Sequence, residues 1–203
     1  MRFCYGSVPE TPGFRPEAEG WRPLREPGPW LLQVLAFVPA IILLAMDIGL
    51  LGFAWPEGFA FGNAFTAFSL LGLLAVILAS VLLHELLHVV FHPGAGLTSS
   101  SVLGAWPSKG LFYAHYDGPL PRNRSVLVAA APCVLMAIVP ALLVAALSRL
   151  GVSAELLNRL AFLSMFGAIS GCGDVVVILL LLFQVPFSAT LRNQGWKTYW
   201  RAA

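Results

Sequence analysis

The sequence predicts an all-α membrane protein, a bundle of four transmembrane helices with one cytoplasmic loop between the second and third helices. Composition is the first indication: of 203 residues, 58% are hydrophobic and only 11% are charged, and the mean hydropathy is +0.81. Ordinary soluble domains carry about 25% charged residues. Length is the second indication, because four apolar segments could each cross about 30 Å of hydrocarbon as a helix. Only one connection between these segments is long and polar.

The predicted spans begin near residues that favour helix starts. Asn63 and Ser153 can cap the second and fourth helices through their side chains. The other connections are short, so we predict one membrane domain, residues 30–183, between the cytoplasmic segments 1–29 and 184–203. The spans themselves are predicted at residues 30–53, 64–91, 125–147 and 154–183.

The predicted orientation follows from the uneven distribution of basic residues. Ten of the twelve Lys and Arg residues lie in the two tails and the central loop, and only Arg149 and Arg159 lie on the other side. Because short cytoplasmic loops are enriched in Lys and Arg, we predict that both termini and the loop 93–124 are cytoplasmic. The carboxyl-terminal run WKTYWR is then predicted to anchor the chain at the membrane surface rather than to bind nucleic acid.

The central loop contains two β-prone runs, SVLGAW at residues 101–106 and LFYAHY at residues 111–116. A Pro-Ser-Lys-Gly turn separates them, and such a pattern predicts a β-hairpin. An exposed hairpin could accept an extended peptide as an added strand. The alternative is a packed loop that only caps the helix bundle.

The stretch VLLHELLHVVFH, residues 81–92, carries three of the four histidines at the end of the second span. On a helix, His84 and His88 lie one turn apart on the same face, so both imidazoles can bind one metal ion. Glu85 points beside that face and can reach a metal-bound water. This is the H-E-x-x-H arrangement of zinc hydrolases. Ionisable residues at membrane depth usually line a functional interior, so we predict a Zn²⁺ site; the alternative is a satisfied cluster of polar helix residues.

A catalytic zinc site needs a third protein ligand and an open position for water. His92 lies about 12 Å from His84 along a straight helix, too far to share the ion, and is interpreted as an interfacial histidine. Depth favours Asp174, which lies as far past the start of the fourth span as His84 lies past the start of the second. Its SGCGD sequence also permits close helix approach or a local break. The other candidates are Asp47, His115, Asp117 and Cys172; of these, Cys172 is the principal alternative, and Asp47 is predicted to be a polar residue near the opposite membrane face.

Four stretches of the sequence together resemble a known family. HELLH on a predicted membrane helix is followed by LPRNRSVLVAAAP in the next span, then by SGCGD and LLFQVPFSATLRNQGWKTYW. They resemble the putative zincin peptidase family of small bacterial membrane proteins, which is similar in plan to the site-2 proteases, intramembrane zinc enzymes. The resemblance covers most of residues 20–200. It implies His84, His88 and Asp174 as zinc ligands, Glu85 as the catalytic carboxylate, and a location in the bacterial plasma membrane.

Together these features predict a zinc-dependent, membrane-embedded peptidase that cleaves peptide bonds near the cytoplasmic boundary. Zn²⁺ is the expected cofactor, and the expected partners are the lipid bilayer and a peptide or membrane-protein substrate, with no nucleic acid. His115 or Tyr113 from the loop could help to hold the oxyanion, or could simply pack. Two other functions use the same residues: a non-catalytic zinc-binding scaffold, which needs no Glu85, and a metal or proton transporter, which favours ionisable groups strung across the bilayer.

Overall fold

The structure, a computed structural model, describes residues 1–202 of the chain. Most of the apolar sequence in this range is helical, because long apolar stretches in a membrane can satisfy their backbone groups only within a helix or a closed barrel. A π-helical turn, Val134–Ile138, joins two of the helices into one continuous rod. The helices are α1 (Pro29–Ala54), α2 (Phe61–Thr66), α3 (Leu70–Val90), α4 (Arg122–Cys133), α5 (Val139–Ser148), α6 (Ala154–Ser170) and α7 (Cys172–Gln184).

Three of these segments are long and apolar enough to cross a membrane: α1, α3 and the continuous Arg122–Ser148. A fourth span exists if α6 and α7 are taken together, since they pass the same test but are bent by 43° at Gly171. The predicted predominantly helical fold is confirmed at this level, and its three to four apolar helices are compatible with a membrane protein. Ser153 caps α6 as predicted, accepting a hydrogen bond from the Leu156 N–H at 3.4 Å.

The start of the second span was predicted wrongly. The helix does not run on from residue 64, because α2 ends at Thr66 and α3 begins only at Leu70. Asn63 therefore lies inside α2 and caps nothing, whereas Ser69 accepts a hydrogen bond from the Gly72 N–H at 3.2 Å and so starts α3. The equal spacing that favoured Asp174 by depth rested on that false start.

Seven short strands form two small sheets, so the all-α prediction is too narrow. The predicted hairpin is confirmed: its two strands pair antiparallel, from Ser101 opposite Tyr116 to Trp106 opposite Leu111. One sheet has the order β1-β3-β4 and the other the order β2-β7-β6-β5. The strands are β1 (Arg2–Tyr5), β2 (Arg22–Pro23), β3 (Ser101–Trp106), β4 (Leu111–Tyr116), β5 (Leu120–Pro121), β6 (Thr190–Gln194) and β7 (Lys197–Arg201).

The carboxyl-terminal run WKTYWR is part of a sheet, which the prediction of a simple surface anchor did not include. Its last five residues form the whole of β7, which pairs with both β6 and the two-residue strand β2. Gly195 turns the chain between β6 and β7 with a φ of +60°, a conformation that glycine adopts without strain. Tyr199 is buried in an aromatic cluster with Phe14 and Trp21.

The described chain divides into two compact units, and the first contains both sheets. It comprises Met1–Leu35, Glu85–Ala131 and the described residues from Asp174 onward. Its apolar core is small and consists of Leu24, Leu181, Val185, Ala189 and Leu191. The Arg122 guanidinium donates hydrogen bonds to the carbonyls of Leu181 and Leu182, so the first residue of α4 caps the last turn of α7.

The second unit comprises Ala36–His84 and Pro132–Gly173. Here α6 packs very closely on the π-helical turn: a Cβ added to Gly167 would lie 2.3 Å from backbone atoms of Met136. A Cβ added to Gly171 would lie 2.9 Å from the Cβ of Cys133. Small residues permit this approach, as is common between membrane helices. The core of the unit consists of Leu51, Ala64, Ala141, Val144, Ala161, Phe162 and Met165.

Candidate metal centre

The histidine pair of α3 lies one helical turn apart, as its spacing predicts. His84 and His88 are both buried, with exposed fractions of 7% and 9%. Burial of two imidazoles is costly unless their nitrogens have partners. Each ring uses its Nδ1 atom for a hydrogen bond within the protein. These two contacts determine whether each Nε2 atom can offer a lone pair to a metal ion.

His88 is fixed in one tautomer by a backbone carbonyl. Its Nδ1 atom lies 2.8 Å from the carbonyl oxygen of Val128, and because a carbonyl can only accept, Nδ1 must carry the proton. That carbonyl is available because it would normally accept from residue 132 in α4, which is Pro132 and has no N–H. In its neutral form the ring therefore presents the lone pair of Nε2, the form in which histidine binds metals.

The same reasoning fixes the tautomer of His84 through a serine. The His84 Nδ1 atom lies 3.2 Å from the Ser170 hydroxyl, and that hydroxyl donates its own proton to the Gly167 carbonyl at 3.1 Å. With its only proton committed, the Ser170 oxygen accepts from the His84 N–H. His84 is thus also directed to offer Nε2.

Asp174 lies in the first turn of α7, three residues after the bend at Gly171. Its Oδ1 atom is 3.3 Å from Nε2 of His88. His84, His88 and Asp174 each offer one ligand atom, and these atoms all lie within 4.8 Å of one another. Ligands of a tetrahedral zinc ion with bonds of about 2.1 Å are separated by about 3.4 Å. Two imidazoles and one carboxylate are also a donor set that zinc favours, so these residues fit the ion.

Glu85 is the next residue along α3 and is partly exposed. At 3.6 residues per turn its side chain leaves the helix about 100° from that of His84. On an ideal helix it lies beside the face that carries the two imidazoles; its role as a carboxylate that reaches a metal-bound water stays a prediction.

His92 lies outside this cluster and is buried. Its place at the membrane interface stays a prediction. Its Nδ1 atom is 3.2 Å from the Ser101 hydroxyl, and its ring centroid is 5.3 Å from that of Tyr116. Burial is the main reason that the pKa of His92 falls to about 4, and the nearby charges of His88, His115 and Arg124 lower it further. The carbonyl of His92 accepts a hydrogen bond from the Arg124 guanidinium.

The two loop residues predicted to hold an oxyanion lie at alternate positions of β4. Both are buried, with exposed fractions of 8% for Tyr113 and 3% for His115. The Tyr113 hydroxyl donates to the Ser7 carbonyl at 3.1 Å, and its pKa is raised, chiefly by burial. Both ring nitrogens of His115 are buried without a hydrogen-bond partner among residues 1–202, and burial lowers the pKa of this ring. A role for either at the cluster stays a prediction.

The remaining candidate ligands have other partners or places. Asp117 pairs with the Arg2 guanidinium at 3.4 Å. Asp47 is buried in the second unit, and its Oδ1 atom accepts a hydrogen bond from the Ser164 hydroxyl at 2.8 Å. Its place near the opposite membrane face stays a prediction. Cys172 is half-buried, and among the described residues it is not part of the His84, His88 and Asp174 group.

Sequence reasoning missed the two groups that orient the imidazoles. Ser170 had a usable signal, since it is a hydroxyl four residues before the predicted ligand Asp174. The Val128 carbonyl had a weaker one, because Pro132 in an apolar helix implies an unpaired carbonyl four residues earlier. Neither signal indicates which side chain will use the freed group.

The helices are apolar enough to cross a membrane, and two histidines of defined tautomer lie beside an aspartate. Together these features define a helical protein of the zincin kind, with a site suited to zinc. The chain belongs to the family described as putative zincin peptidase, whose model matches residues 77–190. This range contains the whole candidate centre. No curated protein and no solved structure matches the chain.

Proposed function

We propose that the protein is a zinc-dependent, membrane-embedded peptidase that hydrolyses peptide bonds near the cytoplasmic boundary of the bacterial plasma membrane. The observation that carries this proposal is the grouping of His84, His88 and Asp174 within 4.8 Å, with both imidazoles held to offer Nε2. Membership of the zincin peptidase family supports the choice of zinc and of peptide hydrolysis.

In this proposal the three residues hold the ion and leave one position open for water and substrate. Zinc, when bound, supplies Lewis-acid chemistry, polarising the scissile carbonyl and lowering the pKa of water to about 7. Glu85 acts as the general base: its carboxylate takes the proton of the attacking water and delivers it to the leaving amine. A purely structural zinc site would have no use for that carboxylate.

The proposed orientation places both termini and the central loop in the cytoplasm. It rests on the distribution of basic residues described above and on the positive-inside rule. The metal cluster lies toward the carboxyl-terminal end of α3, which leads directly into that loop. Water can therefore reach the centre from the cytoplasmic side.

A peptide substrate would bind as an additional strand beside β4. This strand pairs only with β3 within the described residues 1–202. The Asp117 N–H donates to the Ser100 carbonyl at 2.8 Å, so in this register residues 112, 114 and 116 direct their backbone groups to the other edge. Tyr116 at one end of that edge contacts His92, one turn beyond His88. An extended peptide on β4 would run towards the metal ligands.

Metal analysis of the detergent-purified full chain tests the ligand assignment. We expect about one zinc per wild-type chain, loss of zinc in His84→Ala and Asp174→Ala, and retention in His92→Ala, the control, which lies just beyond the end of α3. Cleavage of a panel of transmembrane and unfolded peptides, followed by mass spectrometry, tests catalysis. Glu85→Gln should keep its zinc and lose cleavage; a variant that still cleaves would exclude the proposed base, and zinc flux in proteoliposomes would instead favour a transporter.

A further inference from the structure

The first unit contains a second polar site, far in sequence from the metal ligands, on the sheet formed by the two ends of the chain. A cleft of about 580 Å³ opens there, within the range of about 300–1,000 Å³ that is typical of small-molecule sites. Its lining consists of Glu19, Trp21, Pro119, Thr190, Arg192 and Arg201, together with Ala202.

Two arginines occupy one face of the β6–β7 hairpin. Thr190 lies opposite Arg201, and Arg192 lies opposite Tyr199, so Arg192 and Arg201 are diagonal neighbours and their side chains leave the same side of the sheet. Like charges at such positions repel. Within residues 1–202, neither guanidinium lies within 4.0 Å of a carboxylate oxygen in an ion pair. A bound anion would remove the repulsion.

Aromatic rings hold both guanidiniums in place. Arg192 lies over the Phe14 ring, 4.2 Å from its centroid, and Arg201 lies over the Trp21 ring at 4.8 Å. Phe14 and Trp21 pack edge to face at 5.5 Å and are both more than nine-tenths buried. Stacking on rigid rings leaves the edges of a guanidinium available and reduces the entropy lost when they bind a partner.

The position of the cleft indicates where its ligand comes from. β5 leads directly into α4, and β6 begins shortly after α7 ends, so Pro119 and Thr190 lie next to the ends of apolar helices. Phe183 and Phe187, at the end of α7 and just beyond it, expose 84% and 74% of their surfaces. Exposed aromatic residues beside charged ones are typical of the headgroup level of a membrane.

We propose that this cleft binds a phosphate group, held by Arg192 and Arg201 and supplied by an anionic phospholipid headgroup. Two guanidiniums present paired donors that match phosphate oxygens. The Thr190 hydroxyl adds a neutral donor at the wall of the same cleft. The Glu19 carboxylate, on the cleft wall, can accept a hydrogen bond from the glycerol hydroxyls of a phosphatidylglycerol headgroup but finds no donor on a choline. The inference does not depend on the metal centre.

Thermal unfolding of the delipidated full chain in detergent tests the site. The probes are short-chain phosphatidylglycerol, short-chain phosphatidylcholine and inorganic phosphate. We expect a saturable rise in Tm with phosphatidylglycerol. We expect its apparent affinity to fall about tenfold or more in Arg192→Gln/Arg201→Gln, because each lost charged hydrogen bond is worth about a factor of ten. Saturable binding of inorganic phosphate with the same arginine dependence would support the phosphate site and assign it to free phosphate.

The matched control is Arg22→Gln/Lys197→Gln, which removes the same charge from the same sheet. Arg22 stacks over Trp200, and Lys197 is exposed at the start of β7, so neither lines the cleft. The control should bind phosphatidylglycerol as the wild type does. An equal loss of affinity in both double variants would show that only the overall positive charge matters and would overturn the proposal. No saturable binding of either phosphatidylglycerol or inorganic phosphate to the wild type would also overturn it. If the Gln pair does not fold by gel filtration, Arg192→Lys/Arg201→Lys keeps the charge and loses the paired donors, and undiminished affinity in that variant contradicts the proposal.

Discussion

The Nδ1 atom of His88 lies 2.8 Å from the carbonyl oxygen of Val128, the one carbonyl of its helical turn that Pro132 leaves without an N–H partner. A helix defect in one apolar segment thus orients a histidine in another. Outer partners of this kind orient ligand histidines in metal sites, and their loss usually costs 10- to 100-fold in metal affinity.

Replacing Pro132 by alanine should weaken zinc binding without unfolding the protein. The new N–H at position 132 would compete for the Val128 carbonyl and loosen the His88 ring. We expect zinc affinity, measured by competition with a chelator, to fall about tenfold, while the free energy of unfolding stays equal or rises because the helix gains a hydrogen bond. Pro140→Ala, in α5, is the control and should bind zinc normally. Unchanged affinity in Pro132→Ala would show that the carbonyl does not orient His88.

Ser170 should be needed for zinc affinity, although it is not a ligand. Ser170→Ala removes the oxygen that accepts from the His84 N–H, so the ring is free to turn or change tautomer. An affinity about tenfold lower is expected, and Ser170→Thr should restore it by supplying the same hydroxyl.

Ser148→Ala provides the comparison for that experiment. Its hydroxyl is within hydrogen-bond distance of two backbone carbonyls, those of Ala145 and Ala54, so its loss should leave zinc binding unchanged. Equal zinc affinities for Ser170→Ala and the wild type would show that Ser170 does not orient the His84 ring.

Gly167→Ala should destabilise the second unit. The added Cβ would lie 2.3 Å from the backbone of Met136, and a backbone cannot move aside as the end of a side chain can. We expect a loss of about 1–3 kcal/mol in the free energy of unfolding, measured in mixed micelles. Gly49→Ala in α1 has nothing within 4 Å of its new Cβ and should be neutral. A neutral Gly167→Ala would mean that the helices can separate there without cost.

Acid should destabilise the metal-free protein partly through His92. Its pKa falls from 6.5 to about 4 on folding, chiefly because of burial, so the folded state binds fewer protons than the unfolded state between these values. The stability is fully present above about pH 6.5 and is lost as pH falls towards 4. Between pH 7.5 and 4.5 the loss from this group is about 2–3 kcal/mol.

His92→Gln should therefore flatten the pH dependence of unfolding in chelator, measured at several pH values over that range. The dependence should not vanish, since His115 also has a pKa that burial lowers. A slope equal to that of the wild type would indicate that His92 becomes accessible before the protein unfolds.

The parts of the molecule that were predictable are those with local signals. His84 and His88 follow from a spacing of four on one helix, and the hairpin follows from two β-prone runs around a turn. Asp174 was chosen by counting from residue 64, yet α3 starts at Leu70, so the count was not sound. The choice agrees with the geometry because an ionisable residue in an apolar span usually faces the protein interior, where it finds a partner.

The second sheet was not predictable from local pattern. β2 has two residues, Arg22 and Pro23, and it pairs with Trp200 and Tyr199 at the other end of the chain. No periodicity can develop in two residues, and the pairing depends on where the helices bring the chain ends. The arginine pair of the cleft could not be seen for the same reason, because its aromatic supports Phe14 and Trp21 lie in the amino-terminal segment.

Hydrogen bonds connect α4 to the segment that contains His88 at two levels. One turn beyond the His88 ring, the Arg124 guanidinium holds the carbonyls of Phe91 and His92; level with it, the Val128 carbonyl holds the imidazole itself. One set of hydrogen bonds is made in the last turn of α3 and the other just beyond its end, and the two are about one turn apart along α4. Sliding of either segment past the other would break both sets at once. The His88 ring therefore has its final orientation before an ion binds. The rate of zinc binding should be governed by diffusion of the metal into the site, and removal of zinc by a chelator should be fully reversible.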